Sequence, residues 1–267
     1  MNTIILTVHN KENTIIKVLS NLLKNLSKKT IKIIIVLDGC NDATEFKINQ
    51  FINSFKINKL LEIIHTDDIW ETRANNIGLK KVNTKYATIV QDDMVIKQKN
   101  WDATLLNIFK TNDLFAVSGR TAHDFTFLND HIIPINLFGR EYPFSNNHLL
   151  GKLTGRFMRI FKTYWLYNYF NFYGIRLTVN RGPLILRMSK AKELRFFDEK
   201  FAPFELDDLD LCCRAYKKFG LFSAARPIFY TELNGSKKNN LDSQKVSINS
   251  IVKNERIIIQ RHNDLAI

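Results

Sequence analysis

The sequence predicts an α/β fold, a mostly parallel central sheet flanked by helices, and three observations carry that reading. Short apolar runs rich in isoleucine alternate with segments whose apolar residues recur at helical spacing, the pattern of consecutive βαβ units. Aspartates stand where several of those runs stop. The 267 residues, 45% of them hydrophobic, suffice for one large domain with a sizeable core.

Thr3–Val8 is continuous and apolar, as a strand buried on both faces must be. Asn10 or Asn13 can cap the helix that follows, where Ile16, Leu19, Leu22, Leu23 and Leu26 share one face. Ile31–Leu37 reads as a second strand. Ile48, Phe51, Ile52 and Phe55 mark a second helix, and Leu60–His65 a third strand. Trp70–Val82 reads as a helix through Ala74, Ile77 and Gly78. Tyr86–Val90 is a fourth strand that runs into Gln91-Asp92-Asp93. Right-handed crossovers place the ends of these strands on one edge of the sheet, so His9, Asp38, Asp92 and Asp93 should meet there.

Further on, Leu114–Ser118 and Leu184–Leu186 read as strands, Asp208–Phe219 as a helix and Ser243–Gln260 as a last helix. Lys152–Tyr173 mixes Arg156, Arg159 and Lys162 with Phe157, Phe161, Trp165, Tyr169 and Phe172. A core helix is the first reading of that segment, a membrane-surface helix the second and a nucleic-acid groove the third.

Lys and Arg number 39 against 26 Asp and Glu, a formal charge of +13. Such a surface suits phosphates, whether of a nucleotide, a nucleic acid or anionic lipid. No nucleic-acid motif accompanies it, so nucleic acid is not an expected partner. Cys40, Cys212 and Cys213 are odd in number and form no C-x-x-C, which argues against a disulfide framework or thiolate zinc site and for a cytoplasmic setting. The chain carries no secretory signal pattern and no apolar run long enough to span a bilayer, so a soluble or peripheral protein is expected.

The acidic clusters can do chemistry. Asp38-Gly39 is a common turn pair, and a carboxylate there can also accept bonds from a nucleotide. Adjacent Asp92 and Asp93 repel unless a cation lies between them, which favours a hard divalent ion and its phosphate ligands. Asp207 and Asp208 precede a helix. Part of that acidity serves the helix dipole, and one carboxylate beside another can act as a general base. Asp210 is expected to orient a neighbour or cap. Arg73 is an ordinary solvated arginine or a phosphate contact.

Taken in order, these stretches resemble the family-2 glycosyltransferases of the GT-A fold, a Rossmann-like sheet. Thr3–Asn10 is similar to the opening strand. Ile34-Ile35-Val36-Leu37-Asp38-Gly39-Cys40-Asn41-Asp42-Ala43-Thr44 is similar to the stretch Val-Asp-Asp-Gly-Ser-x-Asp-x-Thr. Arg73–Leu79 resembles the Ala-Arg-Asn-x-Gly segment, and Tyr86–Asp93 the strand that bears the D-x-D element. Phe197-Asp198-Glu199 and Asp207–Arg214 resemble the acceptor-side motifs. The resemblance implies a single domain over 1–267. Residues 1–95 would hold the nucleotide sugar, 96–240 the acceptor, and 241–267 would form a C-terminal helix.

It further implies an inverting, metal-assisted transfer from a nucleoside-diphosphate sugar, a UDP-sugar first, to a hydroxyl of a glycan or lipid-linked saccharide, as in polysaccharide biosynthesis. Asp38 would contact the base, Asp92 the ribose or metal shell, and His9 and Arg73 the nucleotide. Asp93 would ligate Mn²⁺ or Mg²⁺. Asp208 would be the general base, with Asp207 the second candidate. A peripheral contact with anionic membrane at the cytoplasmic face would fit the basic surface. Leu37 and Gln91 replace acids of the family pattern, and Asp207 replaces its usual Glu. Glu232 stands before Asn234-Gly235-Ser236, where the family often has a histidine. Two other readings stand beside this one. The first is a basic protein that binds nucleic acid or anionic lipid on an inactive transferase scaffold. The second is a sugar-phosphate nucleotidyltransferase, which should carry a Gly-rich loop that His9–Asn13 lacks.

Overall fold

The computed structural model describes residues 1–120, 173–233 and 241–265, with backbone alone for 241–248. The helix expected over 152–173 therefore lies outside the described residues, save Tyr173. The first half is four βα repeats: β1 Asn2–Val8, α1 Ile15–Asn25, β2 Thr30–Asp38, α2 Thr44–Phe55, β3 Leu61–Thr66, α3 Glu71–Lys80, then β4 Tyr86–Gln91, a short β5 Met94–Ile96, α4 Trp101–Thr111 and β6 Leu114–Ser118. The second half adds β7 Gly174–Arg176, β8 Leu184–Arg187, α5 Met188–Glu193, α6 Asp207–Phe219, β9 Phe222–Ala225, β10 Tyr230–Glu232 and α7 Leu241–His262.

The large sheet has the order β3-β2-β1-β4-β8-β6-β9-β7, and β10 pairs with β5 in a two-stranded ribbon. Strands β1 to β4 are all parallel. Beyond them the sheet is mixed. β8 enters antiparallel between β4 and β6, and β7 is antiparallel to β9. The expected parallel arrangement thus describes the first half, while three- and four-residue strands complete the second.

Side chains of β1 alternate between two cores. Ile4, Leu6 and Val8 pack with α1, α2 and α4, and Ile5 packs with α3, α5 and α6. Gly78 allows that second contact, because a Cβ there would meet Ile5 Cγ2 at 2.7 Å and Val36 Cγ2 at 3.3 Å. Helix α1 is capped by neither expected asparagine. Its N-cap is Thr14, without a side-chain bond. Asn10 instead has φ 48° and accepts from the Asn41 amide at 2.9 Å, tying the first two strand-end loops together.

Helix α7 docks beside α6. Its buried Asn254 donates to the carbonyls of Phe201, Phe204 and Glu205, all within 2.9 Å, and so shapes the loop that leads into α6. Among the described residues no helix is long and apolar enough to cross a membrane.

Candidate active site

Because β1, β2, β3 and β4 run in parallel, Asp38 at the end of β2 and His9, Asp68 and Asp92 just past the ends of β1, β3 and β4 lie on the carboxyl edge of the sheet. Asp38 is buried and its carboxylate is engaged. Thr66 Oγ1 donates to Oδ1 at 2.9 Å, the Ile69 amide to Oδ1 at 2.8 Å and the Trp70 amide to Oδ2 at 3.0 Å. Asp38 thereby fixes the loop that starts α3, and one acceptor position is left on Oδ2. Gly39 follows at φ 59°, and a Cβ there would meet Asp68 Cβ at 2.5 Å, so this turn requires glycine.

His9 Nδ1 lies 2.6 Å from the Asp38 carbonyl oxygen, and its Nε2 lies 3.3 Å from Asn10 Nδ2. A carbonyl can only accept, so the proton sits on Nδ1. His9, Asp38 and Asp68 place ligand atoms within 4.8 Å of one another. With Nδ1 protonated and Asp38 bound to loop amides, this trio is a hydrogen-bonded cluster and fits a metal poorly.

Asp92 and Asp93 form the turn between β4 and β5. The His9 amide donates to Asp92 Oδ2 at 3.1 Å, and the buried Lys11 ammonium stands 3.4 Å from Oδ1. Burial pushes the Asp92 carboxyl up to about 6. Lys11 and the His9 amide oppose the rise, and the like charges of Asp93 and Glu71 add to it. Asp93 accepts the Leu233 amide on its backbone carbonyl at 2.7 Å and lies in the field of Arg120, which pairs with Glu232. Hard carboxylate oxygens crowded by like charge fit a hard dication, so Asp93, with Asp92, is the better candidate ligand pair.

The α6 carboxylates reach the same edge through Arg181. This buried guanidinium grips Asp207 bidentately, with NH1 3.0 Å from Oδ2 and NH2 2.9 Å from Oδ1. It also lies 3.7 Å from Glu71. Thr72 Oγ1 donates to Asp207 Oδ2 at 2.8 Å. Asp207 is wholly buried, and burial pushes its carboxyl up against the pull of Arg181, with Asp208 and Glu71 adding to the rise. Asp208 accepts the Arg181 amide on Oδ2 at 2.8 Å and the Leu209 amide on Oδ1 at 2.9 Å, and its side chain keeps 12% exposure. Of the two, Asp207 is locked and Asp208 has an opening to water. Asp210 bonds Arg214, Arg261 and His262 and ties α6 to α7.

Electrostatic contact runs along the whole edge. Asp92 feels Asp93 and Glu71, and Arg181 faces Glu71, Asp207, Asp208 and Glu205. The sequence-derived aspartates are therefore joined by residues that sequence reasoning missed: Lys11, Glu71 and Arg181. Arg73 is placed elsewhere. Its Nε lies 3.7 Å from Glu199, beside a shallow hollow of about 510 Å³ also lined by Asp198 and Lys253.

The model of the family described as "Glycosyl transferase family 2" matches residues 3–183. The chain belongs to glycosyl transferase family 2. No curated protein sequence gives a significant match. Among solved structures, the mannosyltransferase PcManGT from Pyrobaculum calidifontis, in complex with GDP-Man and Mn²⁺, is similar at a TM-score of 0.61 and 11% identity, over 98% of this chain and 70% of that one. GalNAc-T7 with UDP, GalNAc and Mn²⁺ is similar at 0.60 and 11% identity, over 88% of this chain and 44% of that one. S. aureus TarS 1-349 in complex with UDP-GlcNAc is similar at 0.55 and 15% identity, over 94% and 66%. The chain thus spans less than half of the GalNAc-T7 chain and about two thirds of TarS 1-349. At these identities the likeness is one of fold, and that fold is the GT-A architecture.

In this family-2 chain, Gln91 at the end of β4 makes a contact of its own. A Cβ on Gly182, which has φ 92°, would meet Gln91 Oε1 at 2.5 Å. The amide thus lies against the Arg181–Gly182 backbone and links the β4 turn to the Arg181 loop.

The raised pKa of Asp92 has a measurable consequence. A carboxyl whose folded pKa exceeds its unfolded value near 4 costs stability above the folded value and regains it as pH falls. Relative to the Asp92→Asn variant, the ligand-free wild type should therefore gain stability as pH is lowered from about 6 toward about 4, on top of a constant cost in the variant for leaving the buried Lys11 ammonium without its carboxylate. Urea melts across that window check it.

Proposed function

We propose that the protein is an inverting, metal-assisted glycosyltransferase that uses a nucleoside-diphosphate sugar, UDP-sugars being the first to test. The single observation that supports this reading is the row from Asp38 through His9, Asp92, Glu71 and Arg181 to Asp208 on one sheet edge, in a chain of this family. Residues 1–95 bind the donor and 96–240 the acceptor, with 241–267 as a buttress, all within one domain.

Asp38 and the loop it fixes meet the nucleotide base, and His9 and Asp92 lie beside the ribose. Arg73 is the weakest member of the nucleotide set, given its pairing with Glu199. Mn²⁺ or Mg²⁺ held by Asp93, with Asp92, would neutralise charge on the leaving diphosphate. Asp208 takes the proton from the acceptor hydroxyl as its oxygen bonds to the anomeric carbon and the bond to the diphosphate oxygen breaks on the opposite face. Asp207, Thr72 and Arg181 hold Asp208 in place. The acceptor is a hydroxyl of a glycan or lipid-linked saccharide, and the setting is cytoplasmic with a peripheral membrane contact.

Donor binding tests the reading. UDP- or GDP-sugar with Mn²⁺ should raise the melting temperature, and the Asp93→Ala variant should lose that metal-dependent rise while keeping its own unliganded melting point within a few degrees. A donor-induced rise that ignores both Mn²⁺ and Asp93 would remove the metal from the proposal.

A further inference from the structure

We infer that the amino edge of the sheet, opposite the carboxylates, is a docking surface for an anionic lipid bilayer. Asn2, Thr30, Tyr86 and Arg187 lie in one row at the start of β1, β2 and β4 and the end of β8. The turns that deliver the chain to this row are strongly basic. Lys28 and Lys29 precede β2, Lys56 and Lys59 precede β3, and Lys80, Lys81 and Lys85 precede β4. All are exposed except Lys29, which is half-buried and donates to Asn107 at 2.7 Å. Among the described residues none of these seven ammonium groups has an ion-pair partner.

The acids of this edge are spent elsewhere. Glu62 pairs with Lys32, Asp113 with Arg187 and Glu193 with Lys190. Asp102 is buried on Ser27 and Thr30.

The helix dipole explains a lysine at the end of a helix such as α1 or α3. It does not explain Lys28 with Lys29, Lys56 with Lys59, or Lys81 with Lys85 in the turns beyond. It also does not explain the apolar side chains among them. Ile31 is 46% exposed at the start of β2, and Phe55 is 64% exposed at the end of α2, next to Lys56. Lysines around protruding aliphatic and aromatic groups match a lipid headgroup layer, where the cations meet phosphate and the apolar groups enter the acyl boundary. A nucleic-acid backbone would satisfy the lysines and leave Ile31 and Phe55 in water.

Docking by this edge turns the carboxylate edge toward the aqueous side, roughly 25 Å above the bilayer, about the length of a seven- to nine-residue strand. A soluble donor then has open access. The inference does not depend on the transferase reading, since lipid binding needs neither donor nor metal.

The test is cosedimentation of the full chain with vesicles of phosphatidylglycerol and phosphatidylcholine, against vesicles of phosphatidylcholine alone. Binding should require the anionic lipid and weaken with salt. The variant K80E/K81E/K85E should lose roughly tenfold or more in partitioning, and Ile31→Ser with Phe55→Ser should also weaken binding. All five positions lie outside the acidic site, so melting temperature and donor turnover should match wild type. Equal binding to both vesicle types, no binding to either, or full binding by K80E/K81E/K85E would overturn the inference. So would tighter binding to duplex DNA than to anionic vesicles, unaffected by the Ile31 and Phe55 changes, which would make the edge a nucleic-acid platform. Lipid binding without donor turnover would sink the transferase reading alone.

Discussion

The Asp208→Asn variant should bind donor with unchanged affinity and transfer sugar roughly 10²–10⁴-fold more slowly, the usual worth of a positioned general base. The amide keeps the shape of the carboxylate, and its oxygen can still accept the Arg181 amide that Asp208 accepts at 2.8 Å. It cannot accept a proton from an acceptor hydroxyl. Asp207→Asn should differ. Asp207 is wholly buried in a bidentate pair with Arg181, so its change should act first on stability and on the placement of Asp208. Titrating donor by calorimetry and measuring transfer in the same samples separates the two roles. Normal turnover by Asp208→Asn would move the base elsewhere.

The largest expected effect on stability belongs to Arg181→Met. Removing the guanidinium leaves Asp207 buried without its cation and deprives Glu71 and Asp208 of theirs. Breaking a buried pair on one side costs about 3–5 kcal/mol. Urea unfolding should show a loss of that order. The double variant with Asp207→Asn should recover part of it, because the stranded charge is then gone. A loss below about 1 kcal/mol would mean that Arg181 is solvated and that the carboxylate row is not held together as described.

The first half of the fold was legible because each βα repeat declares itself in period. Isoleucine runs form β1 and β2, and Leu19 and Leu22 face the sheet from α1. In the second half Leu184–Leu186 of β8 and the helices α6 and α7 were legible too, while β7, β9 and β10 were not, having three or four residues each, too few to show an alternation. The site was legible in its acids and not in its connections. Asp38, Asp92 and Asp208 stand at element ends, where a carboxylate is conspicuous. Arg181 becomes visible only when a loop from the far half of the chain lies against α6.

Helix geometry sends Glu71 and Arg73 to different partners. The two residues are two positions apart on α3, about 200° around the axis. Glu71 therefore faces Arg181 and Arg73 faces Glu199. Gly78 in the same stretch serves close packing on Ile5 and Val36.

The central claim is that the carboxylate row binds a nucleotide sugar together with a divalent ion and activates its anomeric carbon. The direct measurement is release of nucleoside diphosphate when the protein is incubated with Mn²⁺ and each common nucleotide sugar in turn. Slow release from at least one donor, abolished by chelation and by Asp93→Ala, is the predicted result. Silence with every donor from a folded protein would contradict it.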